Sequence, residues 1–222
     1  MFRADAIEAA ALCDRVLSYL LELAPTSGRP GSDLRTAVGD FIANAESLLA
    51  DDEAGPPLDE IFDLARNANM TFAQFEEVRT TAVAETPKLL GAVLIQNALI
   101  EFILATESVI IANTTFVSRE DVDAVKASTS EAFAAMQEIA ADDMDQAGYM
   151  VLIQLHAALA YYLAQTARPL PRMLSYAFTD TLPTLVLAYR LYADAGRADE
   201  ILAENKIVHP AFSLREGRAL SG

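Results

Sequence analysis

Between Ala4 and Ala24 apolar residues recur at Ala9, Leu12, Cys13, Val16, Leu17, Leu20 and Leu21, the three- and four-residue spacing of an amphipathic helix that Pro25 closes. A Thr-Ser-Gly-Arg-Pro-Gly loop follows, and Ser32 or Asp33 is placed to cap a second helix running to about Ala50. Asp51 to Pro57 combines charge with helix breakers and reads as a solvated linker or loop. A short helix from about Leu58 to Asn67 leads to Thr71. With Gln74 three residues on, Thr71 forms a capping-box pattern for a helix reaching Glu85. Pro87 suits the first turn of the next helix, a long apolar one ending near Asn113-Thr114-Thr115.

Ser118 with Asp121 restarts the chain as a helix, whose apolar face carries Val122, Val125, Ala132, Phe133, Met136 and Ile139. After an acidic turn at Asp142-Asp143, another helix runs to about Thr166. The texture changes at Arg168. Pro169 and Pro171 prevent a continuous helix, and Met173 to Phe178 reads as extended or irregular. Thr179 or Asp180 opens a last pair of helices, around Pro183–Ala195 and Ala198–Asn205, with Gly196 as the break and an extended tail beyond. No repeat at solenoid periods stands out. The expected fold is all-α: a multi-helix bundle with a short extended segment around residues 168–178 and an irregular C-terminal tail.

Composition supports a folded core, since 53% of the 222 residues are apolar and Gly and Pro number only nine each. Charge adds a division along the chain. Residues 1–167 hold 9 Lys/Arg and 26 Asp/Glu, whereas residues 168–222 hold 7 and 6, so the formal charge of −16 belongs to the first part. The expectation is an acidic helical bundle over 1–167 and a C-terminal docking segment over 168–222 packed on it, with one single domain as the alternative. A −16 surface repels phosphate backbones, so no direct nucleic-acid contact is expected. The stretches Leu89–Ala112 and Tyr149–Ala164 are apolar, but Gln96, Asn97, Glu101 and Glu107 interrupt the first, and the second holds Gln154 and His156 and is short for a span. Both read as buried helices, with no membrane partner. Acids at Asp5 and Glu8 oppose a signal peptide, so the protein is expected to stay inside the cell that makes it.

Little of the sequence points to catalysis. Cys13, the single cysteine, reads as core, and with two histidines in all, neither a disulfide, a zinc cluster nor any other metal or cofactor is expected. Paired carboxylates such as Asp51-Asp52, Glu76-Glu77 and Asp142-Asp143 read as solvated charge. Glu101 and Glu107 are six residues apart and lack the Glu-x-x-His pattern of a di-iron site. His156 reads as a core or boundary histidine, and His209, before Pro210 and near Phe212, suits docking of the tail. No nucleophile signature or Gly-rich phosphate loop accompanies them, and the chain is read as no enzyme. The C-terminal third is dense in Tyr, Arg and Asp. Tyr189 and Tyr192 share a helical face, and Arg190 is spaced to pair with Asp194.

Leu182-Pro183-Thr184 through Tyr189-Arg190-Leu191-Tyr192-Ala193-Asp194-Ala195-Gly196-Arg197 to Asn205, then His209-Pro210-Ala211-Phe212, resembles the C-terminal signature of the DNA circularisation (circulation) proteins of Mu-like phages. Leu170-Pro171-Arg172 fits the same pattern, and Val117-Ser118-Arg119-Glu120 resembles an earlier, weaker block. The likeness covers roughly residues 168–212 and extends more loosely over 117–167. The family's N-terminal domain is not found here, and Ser213-Leu214-Arg215-Glu216-Gly217 replaces its Pro-Gly-Gly. The resemblance implies a virion protein encoded among tail and baseplate genes. The expected function is a structural component of a contractile phage or phage-derived tail near the tube–baseplate junction, made in the host cytoplasm. It would be oligomeric in the particle and contact other tail or baseplate proteins. The alternative is a cytoplasmic assembly factor or chaperone for tail proteins, absent from the mature particle. The expected docking residues are Tyr189, Arg190, Tyr192, Asp194, Asn205, His209, Pro210 and Phe212.

Overall fold

A computed structural model describes every residue except Thr26, Phe212 and Gly222. Among the described residues the chain is all-α, with nine α-helices and a single two-stranded sheet. It divides into two compact units: Met1–Thr114 with Thr129–Leu159, and Thr115–Ser128 with Ala160–Gly222. The division therefore does not fall at one chain position near 167. The first stretch of helix α6 (Arg119–Asp142) and the last of α7 (Gln146–Ala167) go with the C-terminal residues.

In the first unit α1 (Arg3–Leu23) buries the stripe its spacing predicts, including Leu12, Cys13, Val16, Leu17 and Leu20. That stripe packs on α2 (Gly28–Ala50), α4 (Phe72–Ala84) and α5 (Leu90–Ala112). Burial pushes the Cys13 thiol up to about 12, so it behaves as a small apolar side chain. Helix α3 (Gly55–Asn67) starts earlier than expected, because Pro56 and Pro57 occupy its first turn, where a missing N–H costs nothing. The solvated linker shrinks accordingly. Thr71 and Gln74 form the full capping box of α4. Replacing Thr71 with Ala is expected to remove about 1 kcal/mol of stability, read as a lower urea midpoint at unchanged slope.

Helix α5 starts at Leu90, and Pro87 lies ahead of it rather than in its first turn. Two acids of α1 explain the boundary. The Glu8 carboxylate accepts the Lys88 and Leu89 amides at 3.0 and 2.8 Å, and Asp5 accepts that of Gly91 at 3.1 Å. These amide bonds hold Glu8 below the ordinary carboxylate range. Gly91 is needed for this approach, since a Cβ there would lie 2.6 Å from that of Asp5. At the other end of the preceding connection, the buried Gln96 amide donates to the Ala82 and Glu85 carbonyls and so closes α4.

Within the apolar run of α5, Glu107 is fully buried and pairs with Arg79 of α4 at 3.0 Å. Burial raises its carboxyl to about 7, outweighing the opposing pull of the guanidinium. Phe62 lies between Phe75 and Phe102, with ring centroids 6.3 and 6.0 Å away, and fills the space between α3, α4 and α5.

The second unit has its own small core. Strand β1 (Met173–Ala177) pairs antiparallel with β2 (Glu216–Leu220), Met173 facing Leu220 and Ala177 facing Glu216. The tail expected to be irregular thus contains a strand, because residues from Met173 to Ala177 supply a ready edge for it. Helices α8 (Thr184–Tyr192) and α9 (Ala198–Glu204) bury Leu187, Ala188, Ala198 and Ile201 with Tyr176 and Ala219 of the sheet. The break between them is at Ala193, in the left-handed region with φ 58°, and not at Gly196. Gly196 instead sits in a 3₁₀ turn (Ala195–Arg197), whose start is capped by the Asp194 carboxylate.

Candidate functional site

The two blocks Val117–Glu120 and Leu170–Arg172, more than fifty residues apart in the chain, meet within the second unit. The Arg119 amide donates to the Pro171 carbonyl at 2.9 Å and its guanidinium to the Arg168 carbonyl at 3.3 Å. Glu120, in the first turn of α6, accepts the Met173 amide at 2.6 Å and so fixes the start of β1. Sequence reading singled out both blocks without placing them together.

Several of the expected docking residues hold this unit to itself. Asn205 acts as a surrogate peptide for β2, its amide donating to the Arg218 carbonyl and accepting the Arg218 N–H, both at 2.7 Å. Arg197 lies 3.7 Å over the Tyr192 ring and pairs with Glu200 at 2.8 Å. Burial raises the Tyr192 hydroxyl's pKa against the pull of Arg197. The Pro210 carbonyl accepts both the amide and the hydroxyl of Thr184, at 2.8 and 3.1 Å, satisfying the first turn of α8. His209 Nδ1 accepts the Ala211 amide at 3.2 Å in an exposed turn. The tail therefore docks on its own chain. Phe212 lies outside the described residues.

What remains outward is a shorter face. Tyr189 is 65% exposed while Tyr192 is half-buried, so the two do not present one surface. Arg190 lies 5.9 Å from the Phe178 ring centroid and Asp194 caps its own turn, so the expected pair gives way to separate partners. Beside Tyr189, Leu185 and Val186 are also exposed, at 61% and 41%, which makes an apolar ridge of three residues on α8. Their i, i+1, i+4 spacing on α8 was the available signal. This unit holds 9 Lys/Arg and 9 Asp/Glu, against 7 and 23 in the first, so the ridge stands on neutral ground.

His156 is a half-buried boundary residue, stacked on Phe133 with ring centroids 5.1 Å apart and 7° between planes. Its Nδ1 meets the Gln137 amide at 3.4 Å and its Nε2 meets Ser130 Oγ at 3.2 Å, a contact that the sequence did not reveal. Ser130 lies in the middle of α6, where the neighbouring amides are committed to the helix. Glu101 shares a cavity of about 300 Å³ with Asn97, Asp143 and Asp145, and burial followed by repulsion from Asp145 raises its carboxyl. Among the described residues, no three His, Cys, Asp or Glu side chains group to hold a metal ion.

Helices α5 and α7 are both long and apolar enough, by length and composition, to cross a membrane. Half of the α5 window is buried, but only 17% of the α7 window is, so α7 is not the buried helix expected. Met150, Val151 and Tyr161 are exposed along it. An unbroken apolar run does not say which face is covered. Set against known proteins, the chain matches no family and no curated protein.

Proposed function

We propose that the chain acts through protein–protein contacts as a structural component of a contractile phage or phage-derived tail, near the tube–baseplate junction. The observation carrying this reading is the exposed ridge of Leu185, Val186 and Tyr189 on a charge-balanced unit with its own core. Large apolar and tyrosine side chains held on a rigid helix are the groups that anchor interfaces. The blocks that carry the resemblance to the Mu-like circularisation family, Val117–Glu120, Leu170–Arg172 and Leu182 to Pro210, fall in this same unit, which supports reading the unit as the interacting part. The family name mentions DNA, and a −16 chain argues for protein neighbours instead.

Quantitative mass spectrometry on purified particles tests the proposal. Wild-type chain is expected in stoichiometric amounts in particles, whereas Leu185→Asp with Tyr189→Ala should lower incorporation by roughly 10- to 30-fold at unchanged helicity. Wild-type chain found in assembly-stage lysate and absent from particles would make it an assembly factor instead. Normal incorporation of the double variant would remove the ridge from the interface.

A further inference from the structure

A second surface, on the acidic unit, carries chemistry that the C-terminal ridge lacks. Helices α2 and α3 pack together and leave between them a groove of about 650 Å³. Leu48 and Leu64, with buried Phe41 beneath, supply its apolar surface, Thr36, Asn44 and Ser47 its neutral polar groups, and Asp33, Asp40 and Glu60 its charge. We propose that this groove docks a basic amphipathic helix of a protein partner.

Shape argues for a helix. The lining runs along α2 from Asp33 to Leu48, which at 1.5 Å per residue is about 22 Å, or roughly four turns. The walls are helix surfaces and expose no strand edge that would extend a β-ligand. Leu48 and Leu64 are half-buried, the state of side chains that can still cover an incoming apolar stripe.

Charge selects the partner's sign. Among the described residues no Lys or Arg lines the groove, and the unit around it holds 7 bases against 23 acids. Asp33 has Arg29 at 3.7 Å on its own helix, but among the described residues no ion pair engages Asp40 or Glu60. A second copy presenting its own acidic unit would bring acids against acids, its neutral unit would add no attraction, and a phosphate-bearing ligand would be repelled as the acidic unit is. A helix with an apolar stripe flanked by Lys or Arg meets both features at once. The inference stands independently of the tail assignment, because it uses a different unit and different residues.

The test is fluorescence anisotropy of a labelled peptide of about 16 residues, with Leu at helical spacing and Lys on both flanks, titrated with the full chain. Saturable binding that weakens with added salt is expected. Reversal at Asp40→Lys with Glu60→Lys should weaken it about tenfold or more, while Glu131→Lys with Glu138→Lys, equal in charge change but outside the lining, should change it by about twofold or less. A peptide with Glu in place of Lys should bind the groove variant better than it binds wild type. Circular dichroism checks that both variants keep their helices. Equal losses in the two variants would reduce the effect to bulk charge, and equal binding of Lys and Glu peptides would reduce it to apolar adhesion. Either outcome overturns the proposal, as does self-association in sedimentation equilibrium that the groove variant abolishes, which would assign the groove to a second copy.

Discussion

Gly217→Ala is expected to lower the stability of the C-terminal unit by roughly 2 to 4 kcal/mol, the combined scale of overpacking and lost hydrogen bonds. A Cβ at this position would collide with the Asn205 side-chain oxygen and come within 2.6 Å of the Tyr176 hydroxyl. Neither neighbour can yield freely. The Asn205 amide is tied at 2.9 Å to the Ile201 carbonyl and twice to the Arg218 backbone, and Tyr176 is a buried member of the small core. Displacing Asn205 removes the surrogate pairing that holds β2 against α9. Hydrogen exchange resolved by residue is the direct measurement: the Arg218 amide should lose protection in Gly217→Ala, and Asn205→Ala should reproduce that loss. Unchanged protection in both variants would show that the strand is held by its pairing with β1 alone.

Arg79→Met should cost about 1 to 2 kcal/mol near pH 8, because without its cation the buried Glu107 carboxyl takes up a proton that the wild type has released by that pH. The penalty should shrink at pH 5, where a protonated Glu107 needs no countercharge. In the wild type the folded chain holds a proton on Glu107 up to about pH 7, whereas the unfolded chain releases it near 4.5. Between these values the folded state binds more protons, so this group makes stability fall as pH rises, by about 3 kcal/mol across the interval. Glu107→Gln keeps the shape and removes the titration. Its urea stability should therefore be flatter with pH than that of wild type between pH 5 and 7.5, and it should restore part of the loss in Arg79→Met. Parallel pH profiles for wild type and Glu107→Gln would mean that Glu107 does not titrate in this range.

These two sites also show where sequence reading reaches and where it stops. The stripe of α1 and the boxes at Thr71-Gln74 and Ser118-Asp121 are legible because their partners lie within one or two turns. Glu107 and Arg79 are 28 residues apart, and Gly91 and Asp5 are 86 apart. No local pattern connects them, and Pro87, which satisfies only the local rule, points to a start for α5 ahead of the true one at Leu90. The strand β2 was missed for a related reason: Glu216 to Leu220 has no alternation that marks a strand until Met173–Ala177 is beside it. At the candidate site, residue type does not distinguish inward from outward roles. Tyr192 and Asn205 suit an interface, but a core this small also needs an aromatic ring and a side-chain amide to close it, and they serve that purpose. With these residues turned inward, Leu185, Val186 and Tyr189 are the large side chains that α8 leaves exposed.

The acids of α1 that accept the amides at the start of α5 impose an order on synthesis. Asp5 leaves the ribosome long before Gly91, and at about 5 to 20 residues per second the 86-residue separation takes roughly 4 to 17 s to translate. During that interval α1 can find α2, its other large neighbour, as a helical hairpin, but the amides that Asp5 and Glu8 accept have yet to be made. The charge of these acids keeps this end of the nascent hairpin hydrated until residues 88–91 arrive and take it up.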